Sequence, residues 1–304
     1  MRAKPIIKRV PGVWLFLAAS LGLPAHAQLV AAPTALSTAA LVDVEFQSGG
    51  TVLAGAAVIP PKVLAGVVIV HGSGQEQRNL DFARALAQRG LAALTYDKRG
   101  TGKSGGTYVG PELGTNNVDP SNLALLAEDA LAAMKALSRR IAPAEVPLGL
   151  IGISQAGWII PIAAARSDEV KFMLIWSGPM VTTLEQLRFQ FFTEGKAEFW
   201  ETHGEADVRE HIRTGPDRYQ FSPTDPASSL RSLSIPGLWL YGRRDLNVPV
   251  GLCIERLASL ASTGKRFEYR EFADAGHQLP FDAALSASMD WLQRTMAVGP
   301  AQAR

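Results

Sequence analysis

Five unbroken apolar runs of strand length punctuate the chain, at residues 67–70, 91–96, 148–153, 172–176 and 238–241. A strand with one solvated face alternates polar and apolar side chains, whereas a strand covered on both faces reads as a continuous apolar segment. The runs therefore predict buried strands. Between them the apolar positions recur at helical spacing. Residues 81–88 stop at Gly90, residues 122–137 follow Asp119 and Pro120, which suit an N-cap and a first helical position, and residues 156–165 follow the third run. Strands alternating with helices predict an α/β fold, a mostly parallel sheet with helices on both faces. Ahead of the first run, alternation at 41–46, the Gly49-Gly50 pair and the segment 52–59 predict an antiparallel hairpin closed by Pro60-Pro61.

One stretch breaks the rhythm. Between Met180 and about Ser232 no buried-strand run occurs, while Leu184, Phe191, Phe192, Phe199, Trp200, Tyr219 and Phe221 supply bulk in a helical pattern. Residues of about 180–232 are expected to form a helical cap inserted over one edge of the sheet. The alternation then resumes through 238–241, a helix around 253–260, a strand at 267–272 and a last helix at 282–296.

At 304 residues, with 47% hydrophobic and 19% charged side chains, the chain has room for a large core and no disorder-type composition. Its formal charge of +2 comes from the first residues. Arg2, Lys4, Lys8 and Arg9 precede an apolar run at 13–23, too short to span a bilayer, and small side chains follow at Ala25 and Ala27. This combination predicts a signal peptide at 1–27, a leader at 28–40 and a folded domain at 41–304. Export to the periplasm or the medium is expected, without stable membrane insertion once the signal is cut. Cleavage removes four of the 30 basic residues and none of the 28 acidic ones, which turns +2 into −2. Such a chain lacks the clustered Lys and Arg that grip a phosphate backbone, so nucleic acid is not an expected partner. Cys253 is the single cysteine, which excludes an internal disulfide and a lipid-modified cysteine at the cleavage site.

In parallel sheets functional groups gather beyond the carboxyl ends of the strands, so the residues leaving each run carry the chemistry. Gly152-Ile153-Ser154-Gln155-Ala156-Gly157 lies between a buried strand and a helix, where a sharp turn lifts a serine hydroxyl above the sheet. Ser154 is the candidate nucleophile; Ala156 stands where the G-x-S-x-G pattern has its second glycine. A serine needs a base within hydrogen-bond reach, and the base needs an acid that holds its tautomer. Asp245, leaving the 238–241 run, is the candidate acid, and His277, leaving the last strand in Asp274-Ala275-Gly276-His277, is the candidate base. Of the histidines beyond the signal, His277 alone follows both serine and acid in the chain order of one triad-bearing fold. Asp274 is a rival acid, but at three residues from His277 it is expected to shape the turn. His203 and His211 fall in the insertion and are expected at the surface. So are Arg188 and Arg213, which could otherwise receive a substrate carboxylate. The loop His71-Gly72-Ser73-Gly74, after the first buried strand, is expected to supply an oxyanion donor from the Ser73 N–H, opposite the N–H of Gln155.

With these motifs the sequence resembles the α/β-hydrolase superfamily over residues 41–296. The segment Tyr96-Asp97-Lys98-Arg99-Gly100-Thr101-Gly102-Lys103-Ser104-Gly105 adds a further likeness to bacterial secreted serine esterases and their peptidase-like relatives. The resemblance implies an eight-stranded sheet, a serine hydrolase working through an acyl-enzyme, a small-molecule ester or acyl substrate, and neither cofactor nor metal. Peptidases, thioesterases and acyltransferases use the same constellation, and a catalytically inactive hydrolase fold used as a binding module is a further alternative. Residues 100–105 also match G-x-G-x-x-G, but a dinucleotide turn must open a helix, and 107–120 is rich in Gly, Pro, Asn and Asp. Activity is expected to fall at low pH as the imidazole takes up a proton.

Overall fold

The structure, a computed structural model, describes residues 39–142, 144–216 and 222–297. The expected signal peptide, the leader up to residue 38, and Tyr219 and Phe221 lie outside the described residues. Among the described residues no helix is long and apolar enough to cross a membrane.

Strands β1 (Ala40–Ser48) and β2 (Thr51–Ile59) form the antiparallel hairpin. Its two-residue turn holds Gly49 and Gly50 at φ of 52° and 77°. Paired positive values match the twist of the flanking strands, and glycine reaches them without a Cβ clash. Strands β3 (Ala65–Val70), β4 (Leu91–Tyr96), β5 (Leu148–Ile153), β6 (Val170–Trp176), β7 (Gly237–Gly242) and β8 (Phe267–Phe272) complete an eight-stranded sheet. Its order is β1-β2-β4-β3-β5-β6-β7-β8, with β3 to β8 parallel to one another.

Parallel neighbours need crossover connections, and helices supply them. α1 (Leu80–Ala87), α2 (Pro120–Ile141) and α3 (Ala156–Ala165) belong to the first half; α4 (Thr183–Thr193), α5 (Phe199–Thr202), α6 (Glu205–Thr214) and α7 (Pro226–Leu230) fill the insertion between β6 and β7; α8 (Val250–Ala261) and α9 (Phe281–Ala297) follow. Val68, Val70, Met173, Ile175, Trp239 and Tyr241 pack with α2, α3 and α8. Their chain neighbours Val67, Ile69, Phe172, Leu174, Leu238 and Leu240 pack with α1 and α9. Both faces of the central strands are thus dry, which is why the runs are almost wholly apolar; Thr95, the polar position within 91–96, is buried and its hydroxyl accepts the Asn79 N–H at 2.7 Å. Each such side chain contributes about 1.5–3 kcal/mol of burial free energy. Helix α2 begins where its cap predicts: the Asp119 carboxylate accepts the Ser121 N–H at 2.8 Å, with Pro120 in the first position. It runs past residue 137 to Ile141, and Arg139 and Arg140 in its last turn suit the negative end of the helix dipole.

The insertion builds a small core of its own. Phe189, Phe199, Val208 and Ile212 are buried together, with Phe192 and Trp200 against them. Its aromatic bulk therefore serves to pack helix on helix. A capping box opens α4, in which Thr182 Oγ1 accepts the Glu185 N–H and Glu185 Oε2 accepts the Thr182 N–H. Arg188 Nη1 donates to the Ile212 carbonyl at 2.6 Å and so holds α4 to α6, whereas Arg213 is an exposed partner of Glu210. His203 and His211 depart from the surface placement: both are half-buried, stacked on Phe199 and Phe192 with ring centroids 4.6 and 4.2 Å apart. A flat imidazole covers an aromatic face that the small cap core cannot enclose by itself.

Candidate active site

The carboxyl ends of β3 to β8 carry the site. Between β5 and α3 the chain reverses at Ser154, whose φ is 57°, a left-handed value costly for a residue with a Cβ. Two backbone hydrogen bonds hold it there: its N–H donates to the Trp176 carbonyl of β6 at 3.0 Å, and its carbonyl accepts the Gly157 N–H at 2.9 Å. A Cβ at Gly152 would lie 2.4 Å from the Ala156 methyl and 2.7 Å from the Val70 carbonyl oxygen. The turn thus tolerates alanine at position 156 because position 152 is bare.

Two further exits meet beside it. The backbone pairing of β7 and β8 continues past both strands, with Arg243 N–H donating to the Phe272 carbonyl and Arg244 N–H to the Ala275 carbonyl at 3.0 and 2.9 Å. Gly242 is pressed against this loop, where a Cβ would come within 2.1 Å of the Gly276 carbonyl oxygen. This contact brings Asp245 and His277 together. His277 Nδ1–H donates to Asp245 Oδ2 at 2.8 Å, and the carboxylate is fully buried. Its other oxygen, Oδ1, accepts the N–H groups of Asn247 and Val248 at 2.7 and 2.9 Å. With Nδ1 committed as donor, Nε2 carries the lone pair that a base requires. Asp274, the rival acid, is exposed.

Ser177 joins the serine exit to the histidine exit. It directly follows Trp176, which receives the Ser154 N–H; its own N–H reaches the Leu240 carbonyl at 2.7 Å, and its hydroxyl donates to the His277 carbonyl at 2.8 Å. Ser154 and His277 are therefore tied through β6 to the same end of the sheet. Of the expected oxyanion donors, neither the Ser73 N–H nor the Gln155 N–H has a hydrogen-bond partner among the described residues. The insertion also touches the acid loop: Trp200 Nε1 donates to the Asp245 carbonyl at 3.0 Å and Thr193 Oγ1 to the Leu246 carbonyl at 2.7 Å.

Beyond β4 the chain reads Asp97-Lys98-Arg99, and all three side chains are buried. Arg99 pairs with the buried Asp129. Arg78 grips Asp97 through Nε, Nη2 and its backbone N–H, and Lys103 N–H adds a further bond. Burial alone would raise the Asp97 carboxyl, but these donors outweigh it and hold the group at about 2. A carboxyl lowered from its unfolded value contributes stability that is complete above about pH 4 and is lost as pH falls toward 2. Asp97→Asn is therefore expected to lower the melting temperature at pH 7 and to flatten its decline between pH 4 and 2. Scanning calorimetry across that interval checks this; an unchanged acid slope would contradict it.

Lys98 points inward. Its ammonium donates to the Gly72 carbonyl at 2.6 Å, the Gly74 carbonyl at 3.4 Å and Gln155 Oε1 at 3.2 Å. The motifs single out the loop 71–74 and Gln155 but give no role to Lys98, which they carry within 96–105, nor to Glu76, whose carboxylate accepts the Gly72 N–H and meets His71. The available signal was three charged residues in succession directly after a fully buried strand. Among the described residues no three His, Cys, Asp or Glu side chains are grouped as a metal site needs.

An eight-stranded sheet of this order, with a serine at a strained strand-to-helix elbow and an imidazole–carboxylate pair at the same end, is the α/β-hydrolase fold. Residues 61–203 match the family described as serine aminopeptidase, S33. The chain is 28% identical over 207 residues to Esterase EstD of Thermotoga maritima, covering 60% of this chain and 47% of that one, so it spans about half the length of that relative. Among solved structures it is similar to an esterase of Pyrococcus furiosus, with a TM-score of 0.60, 21% identity and coverage of 90% and 97% of the two chains. An acylaminoacyl peptidase of Pyrococcus horikoshii gives a TM-score of 0.63 at 17% identity, covering 86% of this chain and 42% of the other.

Proposed function

We propose that this protein is a serine hydrolase that cleaves carboxylic esters through Ser154, His277 and Asp245. The observation that carries the reading is the bond from His277 Nδ1 to the fully buried Asp245 carboxylate, at the rim where the Ser154 elbow emerges. Likeness to esterases of Thermotoga maritima and Pyrococcus furiosus supports it. His277 Nε2 takes the Ser154 proton as Oγ attacks the acyl carbon. The N–H groups of Ser73 and Gln155 receive the negative charge that develops on the carbonyl oxygen, each worth roughly 3 kcal/mol. The imidazolium, steadied by Asp245, returns the proton to the departing alcohol, and water activated by the same imidazole then releases the acid from Ser154.

The test is a panel of short-chain p-nitrophenyl esters with the purified protein, together with a fluorophosphonate label located by mass spectrometry. Ester cleavage with the label on Ser154 is the expected result. No cleavage across the panel, or a label elsewhere, would overturn the reading. A second reading, cleavage of aminoacyl amides, is favoured by the match to a serine aminopeptidase family and the likeness to an acylaminoacyl peptidase. Aminoacyl p-nitroanilides in the same panel separate the two.

A further inference from the structure

We propose that Lys98 is a positioning residue for the oxyanion hole, its buried ammonium setting the directions of the Ser73 and Gln155 N–H groups by holding the elements that carry them. The inference rests on the acyl-transfer reading above.

Lysine is almost never fully buried without a charged partner. Lys98 is 2% exposed, and among the described residues it forms no ion pair. Its three acceptors are neutral oxygens, those of Gly72, Gly74 and Gln155. An ammonium has three donors, so all are engaged within the protein and none is left for a substrate. Its action must therefore pass through the groups it holds.

Those groups are the two halves of the expected hole. In a trans peptide the C=O of one residue and the N–H of the next point in opposite directions. Fixing the Gly72 oxygen from the Lys98 side therefore aims the Ser73 N–H away from it, the orientation a donor to an outside oxyanion needs. The preceding peptide is fixed from another quarter, since the Gly72 N–H donates to Glu76 Oε1 at 3.1 Å. Tyr108 hydroxyl holds the Ser73 carbonyl at 3.2 Å. On the nucleophile side, Gln155 is clamped at both ends of its amide, Oε1 by Lys98 and Nε2 on the Asn117 carbonyl at 2.6 Å. Among the described residues Lys98 is thus the one side chain bonded both to the glycine loop and to Gln155.

The charge has a titration consequence. Facing the ammonium are Glu76, itself paired with His71, from the segment after β3, and Tyr108 and Glu112 from the segment after β4, with the Tyr108 ring centroid 5.7 Å from Nζ. Burial lowers the Lys98 amine to about 8, against the opposing pull of Glu76 and Glu112. Losing a proton leaves two donors for three acceptors and frees part of the loop. The folded value lies below the unfolded 10.5, so the unfolded chain binds more protons between about pH 8 and 10.5, and stability rises with pH there. Activity is expected to fall over the interval in which stability climbs; a lysine with only a structural role would not lower activity there.

The experiment compares kcat, KM and melting temperature of wild type, Lys98→Met and Lys98→Arg between pH 6 and 10.5 on a p-nitrophenyl ester. For Lys98→Met, kcat should fall about a hundredfold with little change in KM, the scale of one lost oxyanion donor, with melting temperature unchanged or higher and no alkaline limb near pH 8. Lys98→Arg keeps the charge and should retain more activity, its alkaline limb displaced beyond pH 10. If Lys98→Met does not fold, Lys98→Arg decides the matter, and an alkaline limb that stays near pH 8 overturns the proposal. Wild-type kcat in Lys98→Met, beside a Ser154→Ala variant that has lost nearly all activity, would overturn the positioning role and leave the hydrolase reading standing. A wild-type protein that cleaves no ester would overturn both.

Discussion

Ser154→Ala is expected to lower kcat/KM toward short-chain p-nitrophenyl esters by on the order of a millionfold, the scale seen when a triad nucleophile is removed. The fold should hardly notice. What anchors residue 154 is its backbone, through the Trp176 carbonyl and the Gly157 N–H, and the side-chain hydroxyl makes no hydrogen bond among the described residues. Alanine also leaves the left-handed turn with a Cβ no larger than serine's. Melting temperature should shift by the equivalent of less than about 1 kcal/mol. The activity left over should still exceed the uncatalysed rate, because the Ser73 and Gln155 N–H groups and substrate binding persist. Equal rates for variant and wild type would remove Ser154 from the mechanism.

Asp245→Asn should lower kcat by about 10⁴-fold with the fold intact, and the hydrogen bonds around the carboxylate give the reason. Oδ1 accepts two backbone N–H groups, from Asn247 and Val248. In the variant the amide oxygen must stay on that side, since an NH₂ group there would meet two donors. The NH₂ is then turned toward His277 Nδ1, which must become an acceptor. The imidazole proton moves to Nε2, and the group that should accept the Ser154 proton can no longer do so. A kcat within tenfold of wild type would show that Asp245 does not set the tautomer. Steady-state kinetics at pH 7–8, with loss of the His277 Nδ1 proton resonance, check both halves of the argument.

The two results separate what the motifs conveyed from what they could not. The elbow at Ser154 is largely a local object: Gly152, Ser154 and Ala156 are near neighbours, and the clash between a Cβ at Gly152 and the Ala156 methyl acts within five residues, although the Val70 carbonyl oxygen adds a second, distant restriction. Such an object is legible in a line of letters. Lys98 is different, because its partners Gly72, Gly74 and Gln155 lie 26, 24 and 57 residues away. Nothing in Asp97-Lys98-Arg99 tells which of three charges turns to the core, and all three do. The insertion shows the same limit: its bulk predicted helices, but pairing His203 with Phe199 and His211 with Phe192 required the helices to be placed first.

The linear order of residues was enough to establish an α/β sheet dry on both faces, the hairpin turn at Gly49-Gly50, the α2 cap and a serine–acid–histidine order at strand exits. These follow from interactions of short range in the chain: partition of side chains between water and core at period 2 or 3.6, and backbone sterics at glycine and proline. Closure of long loops accounts for the remainder. The β7–β8 pairing carried past Gly242 sets His277 on Asp245, 32 residues apart, and the packing of β3, β4 and β5 side by side brings a buried ammonium to the glycine loop 71–74. Such contacts depend on the register of strands distant in sequence, and a one-residue slip would exchange the two faces of a strand and separate these groups.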